Sequence, residues 1–271
     1  MKYKLFLSDF DGTLVRADGT VSETNRAAIA RYEEAGGIFA VCTGRMPASI
    51  LPRVRELGQK GVVAAYQGAV LLDIPTGKPL VSNAFSEEDA RKVLLLAEAG
   101  GYHTQIYAET DFYCNMDDDP LKLYEKICGV KAIVPNEPLL KLWEREKFPL
   151  VKVLLMVEEE QRDALADYCK KELGEKFYVT CSSKWFVEIL PAGQNKGKAV
   201  EYLCKYYNIP AEETAAIGDA LNDLDMLYAA GGKFAVENGE QALKEIAVTV
   251  ASNEEDGVAE ALMKYAMGEE K

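Results

Sequence analysis

Lys4-Leu5-Phe6-Leu7-Ser8 runs straight into Asp9-Phe10-Asp11-Gly12-Thr13. The first five residues read as a short apolar strand. The next five read as the polar turn where that strand stops, with Gly12 free to take the dihedrals of a tight turn. Downstream, Thr20-Val21-Ser22-Glu23 has the spacing of a capping box, and Ala27, Ala28, Ile29 and Tyr32 follow at helical intervals until Gly36-Gly37. A second apolar run, Ile38 to Cys42, ends in Thr43-Gly44-Arg45. Strand, helix and strand make a βαβ unit, so the two strands should be parallel.

The same alternation returns near the other end of the chain. Helical patterning from about Lys198 through Tyr206 stops at Asn208 and Pro210, and the strand Thr214 to Ile217 then ends in Gly218-Asp219. Lys233 to Val236 and Ala247 to Val250 read as two further strands, flanking a helix from about Glu240 to Ile246, and a last helix starts at Gly257. Such alternation predicts an α/β fold, a Rossmann-like, doubly wound and mostly parallel sheet covered on both faces. In open sheets of this kind the site lies beyond the carboxyl ends of the strands, which is where the polar clusters fall.

The middle differs in texture. Residues 83–190 carry hairpin-like strand pairs around Thr104 to Tyr107, Asp111 to Cys114, Val151 to Val157, Lys176 to Cys181 and Trp185 to Leu190. Helices Glu87 to Ala99, Leu121 to Ile127 and Gln161 to Leu173 interrupt them. This pattern predicts an inserted α+β domain over 83–190, with 1–82 and 191–271 forming the core. Val81-Ser82-Asn83 and Pro191-Ala192-Gly193 read as its linkers.

With 271 residues and 48% hydrophobic content the chain can bury two ordinary cores, in line with a prior of about 150 residues per domain. A formal charge of −13 argues against nucleic acid and anionic membrane surfaces as partners, since both are polyanions. An anionic substrate must therefore find a local cation. The opening twelve residues lack the apolar segment of a signal peptide, and no run approaches the ~20 apolar residues that span a bilayer. Six cysteines without a CxxC pair read as reduced thiols, so a cytoplasmic location is expected.

Paired acids such as Asp9 and Asp11 cannot both stay ionised cheaply unless a cation intervenes. Asp219, Asn222 and Asp223 follow another strand, and together the four carboxylates would make an oxygen-rich cluster suited to Mg²⁺. Thr43-Gly44 can offer a hydroxyl and backbone N–H groups to an anion, and Lys196 a compact positive charge. Taken singly, each has an ordinary explanation as a turn, cap, strand end or solvated lysine. His103, the only histidine, reads as a solvated turn residue after Gly100-Gly101-Tyr102, and Arg45 as either a phosphate contact or a solvent-facing side chain.

In order along the chain, Asp9-Phe10-Asp11-Gly12-Thr13-Leu14, Thr43-Gly44-Arg45, Lys196-Gly197 and Gly218-Asp219 to Asn222-Asp223 resemble the four motifs of the haloacid dehalogenase superfamily of phosphohydrolases. The closing stretch from Val236 to Val258 is similar to the tail of its Cof-like subfamily, whose large (C2B-type) cap is inserted where residues 83–190 stand. Two stretches depart from the subfamily pattern, Gln67-Gly68-Ala69 in place of Asn-Gly-Ala and Glu237-Asn238-Gly239 in place of Gly-Asn-Ala. Both are expected to lie away from the reacting centre.

The resemblance implies a Mg²⁺-dependent phosphatase of small phosphorylated metabolites, sugar phosphates or cofactor phosphates. Asp9 would attack phosphorus, and Asp11 would protonate the leaving alkoxide and then activate water. Asp9, the Asp11 carbonyl and Asp219 would hold the metal, with Asp223 behind a water or orienting Lys196. Thr43, Gly44, Lys196 and Asn222 would hold phosphoryl oxygens. A phosphomutase would use the same groups. A phospho-receiver module places a separate phosphoacceptor between its acidic pair and its Thr, which this order lacks, and a noncatalytic role would leave every reactive group unused.

Overall fold

The computed structural model describes residues 1–269. β1 (Leu5–Ser8), α1 (Glu23–Glu34) and β2 (Ile38–Val41) form the expected unit. Ser22 caps α1, accepting from the Asn25 amide at 3.0 Å, in place of the box expected from Thr20. Thr20 donates instead to Asp18 at 2.6 Å, a nearer acceptor in its own turn. α2 (Pro47–Glu56), β3 (Val62–Ala65), β4 (Val70–Asp73) and β5 (Pro79–Ser82) follow, the three strands making a small antiparallel sheet.

The middle of the chain runs α3 (Glu87–Gly100), β6 (His103–Tyr107), β7 (Phe112–Cys114), α4 (Asp119–Cys128), α5 (Leu139–Glu146), β8 (Lys152–Met156), α6 (Glu159–Leu173), β9 (Phe177–Cys181) and β10 (Phe186–Pro191). The last third adds α7 (Lys196–Tyr207), β11 (Thr214–Gly218), α8 (Leu224–Ala229), β12 (Gly232–Val236), α9 (Gln241–Lys244), β13 (Val248–Val250) and α10 (Gly257–Glu260).

Five strands in the order β13-β12-β11-β1-β2 form a parallel sheet. Its strands alternate large and small residues, because successive side chains leave opposite faces. Phe6, Phe39 and Phe234 share one face with Ile29 and Tyr32 of α1 and Ile50 of α2. There Phe6 stacks on Phe39 and Phe234, with centroids 6.2 and 5.9 Å away. Ala40, Ala216 and Ala235 take the other face, where their small size admits Val200 and Leu203 of α7 and Met226 of α8. The sheet is thus wound on both sides, as the alternation predicts.

A second five-stranded sheet, β7-β6-β8-β10-β9, is antiparallel throughout and belongs to the inserted α+β unit. Val153, Leu155, Val187 and Ile189 face a core shared with α3, α5 and α6. Tyr107, Leu154 and Leu190 face the other way and join the cluster of the parallel sheet. The chain crosses between the sheets twice, and Asn83 Nδ2 ties the two crossings by donating to Gln194 Oε1 at 2.9 Å.

His103 corrects the sequence reading. It opens β6, only 9% exposed, with Nδ1 2.9 Å from Asp118 Oδ2. The turn is already complete at Gly101, φ 63°, so strand pairing starts at the histidine.

Candidate active site

Ser8 is in register with Val41 on one side and Ile217 on the other, so the residues just beyond β1, β2 and β11 emerge side by side. Those residues are Asp9, Thr43-Gly44 and Asp219. They surround the point where the strand order reverses, the usual crevice of a doubly wound sheet.

Lys196 enters this crevice as the first residue of α7. The helix starts two residues before the patterning suggests, because Asn195 caps it by accepting from the Lys198 amide at 2.9 Å. Fully buried, Lys196 donates from Nζ to Asp9 Oδ1 and to Asp223 Oδ1, each at 2.5 Å. The other Asp223 oxygen accepts from the amides of Asp219 and Ala220, both at 3.0 Å. Both oxygens of Asp223 are thus engaged, one by the lysine and one by two backbone amides. Gly218 permits the approach, since a Cβ there would lie 2.4 Å from Asp223 Cγ.

Asp219 accepts from Thr13 Oγ1 at 2.8 Å, and Gly12 passes beneath it in the left-handed region, φ 78°. A Cβ on Gly12 would come within 2.5 Å of Asp219 Oδ2. Oxygens of Asp9, Asp219 and Asp223 lie within 4.8 Å of one another. Burial, more than any other cause, pushes the Asp9 carboxyl well above the usual carboxylate range; Lys196 pulls it back, while Asp223 and Asp219 push it further up. Burial and then the Asp223 carboxylate push Asp219 up to about 6. For Lys196, burial opposes the ammonium, but Asp223 and Asp9 more than reverse that and hold it well above the usual lysine range.

Asp11 stands apart from this cluster. Arg45 grips its carboxylate with two hydrogen bonds, Nε to Oδ2 and Nη2 to Oδ1, both 2.7 Å. Arg45 therefore does not face solvent, and its guanidinium is here engaged by Asp11. Its Nη1 also donates to Ser49 Oγ at 3.1 Å and to the carbonyl of Ile127, in α4, at 3.3 Å.

Thr43 Oγ1 accepts from the Arg45 amide at 3.2 Å. Asn222 is buried, donates from Nδ2 to Gln67 Oε1 at 3.0 Å, and leaves its Oδ1 without a partner. Sequence reasoning missed the residues that brace these groups. Gln67 reaches Asn222, and Asn238 Nδ2 donates to the Gly12 carbonyl at 2.8 Å, so both departures from the subfamily pattern touch the site's supports. Lys152 and Glu188 were missed as well, although a lone charge inside an apolar strand is an available signal.

The haloacid dehalogenase-like hydrolase family model matches residues 6–262. A 5-amino-6-(5-phospho-D-ribitylamino)uracil phosphatase of Bacillus subtilis, YwtE, is 31% identical, covering 94% of this chain and 96% of its own. Phosphatase YwpJ of the same organism is 28% identical over 97% of this chain and 99% of its own. The crystal structure of TM0651 from Thermotoga maritima superposes with a TM-score of 0.81 at 28% identity, covering 96% of each chain. Among the described residues no helix is long and apolar enough to cross a membrane. The chain belongs to the haloacid dehalogenase-like hydrolases and is a phosphatase of their Cof-like group.

Proposed function

We propose that the chain is a Mg²⁺-dependent phosphatase that hydrolyses small phosphate monoesters through an aspartyl-phosphate on Asp9. One observation carries this reading: three carboxylates and one lysine, distant in sequence, converge in a buried crevice. Fully ionised, the three carboxylates against one lysine leave an excess of two negative charges, which a divalent cation would cancel. The donors are all hard oxygens, and Gly12, without a Cβ, lets the Asp219 carboxylate close in on the turn that carries Asp9 and Asp11. These residues therefore fit Mg²⁺, with Asp9, the Asp11 carbonyl and Asp219 as its holders and Asp223 acting through Lys196. When bound, the ion would offset the repulsion between the Asp9 carboxylate and a phosphate dianion.

Lys196 engages Asp9 Oδ1, and Oδ2 is the oxygen assigned to attack on phosphorus. Thr43, the Gly44 amide, Lys196 and the second N–H of Asn222 hold the phosphoryl oxygens, where charge must be stabilised. Asp11 donates its proton to the departing alkoxide and takes one from the attacking water, so one residue serves twice. To do so it turns off Arg45, which holds both its oxygens here.

Residues 83–190 act as the cap that selects the leaving group, with 1–82 and 191–271 as the catalytic core. Beside α4 lies a cavity of about 620 Å³, where Tyr124, Ile127, Trp185 and Phe186 make an apolar wall and His103, Asp118 and Gln161 are among the polar lining. Ile127 joins it to Arg45 and so to Asp11. Its apolar walls favour a cofactor phosphate with a ring over a plain sugar phosphate. YwtE is named for a substrate of the ring-bearing kind. The test is phosphate release from a panel of monoesters by wild type and Asp9→Asn, with Mg²⁺ and with excess chelator. Wild type with Mg²⁺ should turn over, while Asp9→Asn and the chelated enzyme lose several orders of magnitude. Undiminished release by Asp9→Asn would overturn the assignment.

A further inference from the structure

Two charged side chains of the cap sheet are buried against the core and take no part in the chemistry above. Lys152, in β8, is 1% exposed and Glu188, in β10, is 3% exposed, with 3.5 Å between Nζ and Oε1. Exchanging a buried ion pair for apolar residues is often neutral or stabilising, so stability alone is a poor reason for this one. Its contacts point to the phosphoryl end of the site.

Lys152 Nζ donates to the Gly44 carbonyl at 2.9 Å. That carbonyl belongs to the same peptide unit as the Arg45 N–H, which donates to Thr43 Oγ1. That hydroxyl oxygen already accepts one hydrogen bond, so its own hydrogen is left to donate elsewhere. Glu188 works on the opposite arm. Its Oε2 accepts from Gln67 Nε2 at 2.9 Å, its Oε1 from Ser182 Oγ at 2.7 Å, and Gln67 in turn holds Asn222.

The local backbone is shaped for this relay. A Cβ on Gly44 would lie 2.6 Å from Gln67 Nε2 and 3.4 Å from Glu188 Oε1. Tyr66 and Gln67 both sit in the left-handed region, at φ 49° and 57°, which non-glycine residues adopt only when their surroundings impose it.

We propose that Lys152 and Glu188 are positioning residues that set the two phosphoryl-binding arms, Thr43-Gly44 and Asn222, when the cap sheet is docked on the core. Docking assembles the arms, and undocking releases both at once. The inference rests on the phosphatase reading, and neither side chain touches the phosphate.

The test measures kcat and KM with 4-nitrophenyl phosphate as the probe, beside thermal midpoints. Lys152→Met combined with Glu188→Leu leaves no unpaired charge, and kcat should fall roughly 30-fold, as misplaced binding groups cost. Gln67→Met, which keeps the ion pair intact and decides the matter should the first variant not fold, should fall by a similar factor. Glu188→Gln keeps an acceptor for Gln67 but leaves Lys152 without its carboxylate, so its kcat should fall between wild type and the paired variant. In an Asn222→Ala background, Gln67→Met should cost little more, because both act through one group. A purely structural pair would give independent losses in kcat. Wild-type kcat in Gln67→Met and in the folded paired variant, or multiplying losses for Gln67→Met and Asn222→Ala, would overturn the positioning role alone. No phosphate release by wild type would instead overturn the phosphatase reading beneath it.

Discussion

Among the described residues, core and cap each bury one lysine, and the two are held in opposite ways. Lys196 has two carboxylates at 2.5 Å and titrates well above the usual lysine range. Lys152 has one carboxylate at 3.5 Å, a carbonyl, and the face of Tyr107 4.4 Å away. There burial outweighs Glu188, and the lysine titrates below its usual range. In a poorly polarisable interior, the number and closeness of opposite charges decide whether a cation is locked on. On the proposed mechanism the core lysine serves as a permanent charge and the cap lysine as a donor at one carbonyl.

The contrast breaks most visibly at Lys196. Lys196→Met leaves Asp9 and Asp223 buried together without a cation, which should cost about 3–5 kcal/mol in a urea melt. Phosphate release should fall at least about a thousandfold. Melting and turnover like wild type would remove the lysine from the centre of the site.

Asp223→Asn sharpens the same point. It keeps an oxygen for the amides of Asp219 and Ala220 but removes the charge that does most to hold Lys196 protonated. kcat/KM should fall about 100-fold, and its basic limb should move to lower pH, since Lys196 now loses its proton earlier. A basic limb left in place would show that another group sets it.

Gly12→Ala tests how tightly the core site is built. The new Cβ would press on Asp219 Oδ2 from a backbone at φ 78°, and a loss of about 2 kcal/mol is expected in chemical denaturation. The smallest effect belongs to the cap. Trp185 is 45% exposed, so Trp185→Ala should change stability by less than about 0.5 kcal/mol. It should nevertheless lower kcat/KM roughly tenfold for a ring-bearing monoester and spare glycerol phosphate. Equal losses on both substrates would take the apolar cavity out of substrate selection.

The two regions also differed in how much their sequence told. Phe6, Phe39 and Phe234 alternate with small residues along strands that end in Asp9, Thr43 and Asp219, so sheet, register and site follow from local patterns that agree with one another. The carboxylate cluster and Lys196 were legible because ordered motifs carry them. Helix α5 was missed because it spans only Leu139–Glu146, about two turns, although its own Leu139, Leu142 and Trp143 give it a buried face. β3, β4 and β5 were missed because unbroken apolar runs such as Val62 to Ala65 carry no period of two. The pairing of Asp11 with Arg45 and the relay from Glu188 through Gln67 to Asn222 join residues far apart in the chain, and no local pattern encodes such contacts.

Covalent participation of Asp9 is the claim on which core and cap both depend. Acid-quenched enzyme taken during turnover can be reduced with borohydride, which converts an acyl phosphate of aspartate to homoserine, and the peptide that carries residues 4–16 read by mass spectrometry. Homoserine at position 9, dependent on substrate and absent elsewhere, is the expected result. Unmodified Asp9 under steady turnover, or the label at Asp11 or Asp219, would contradict it.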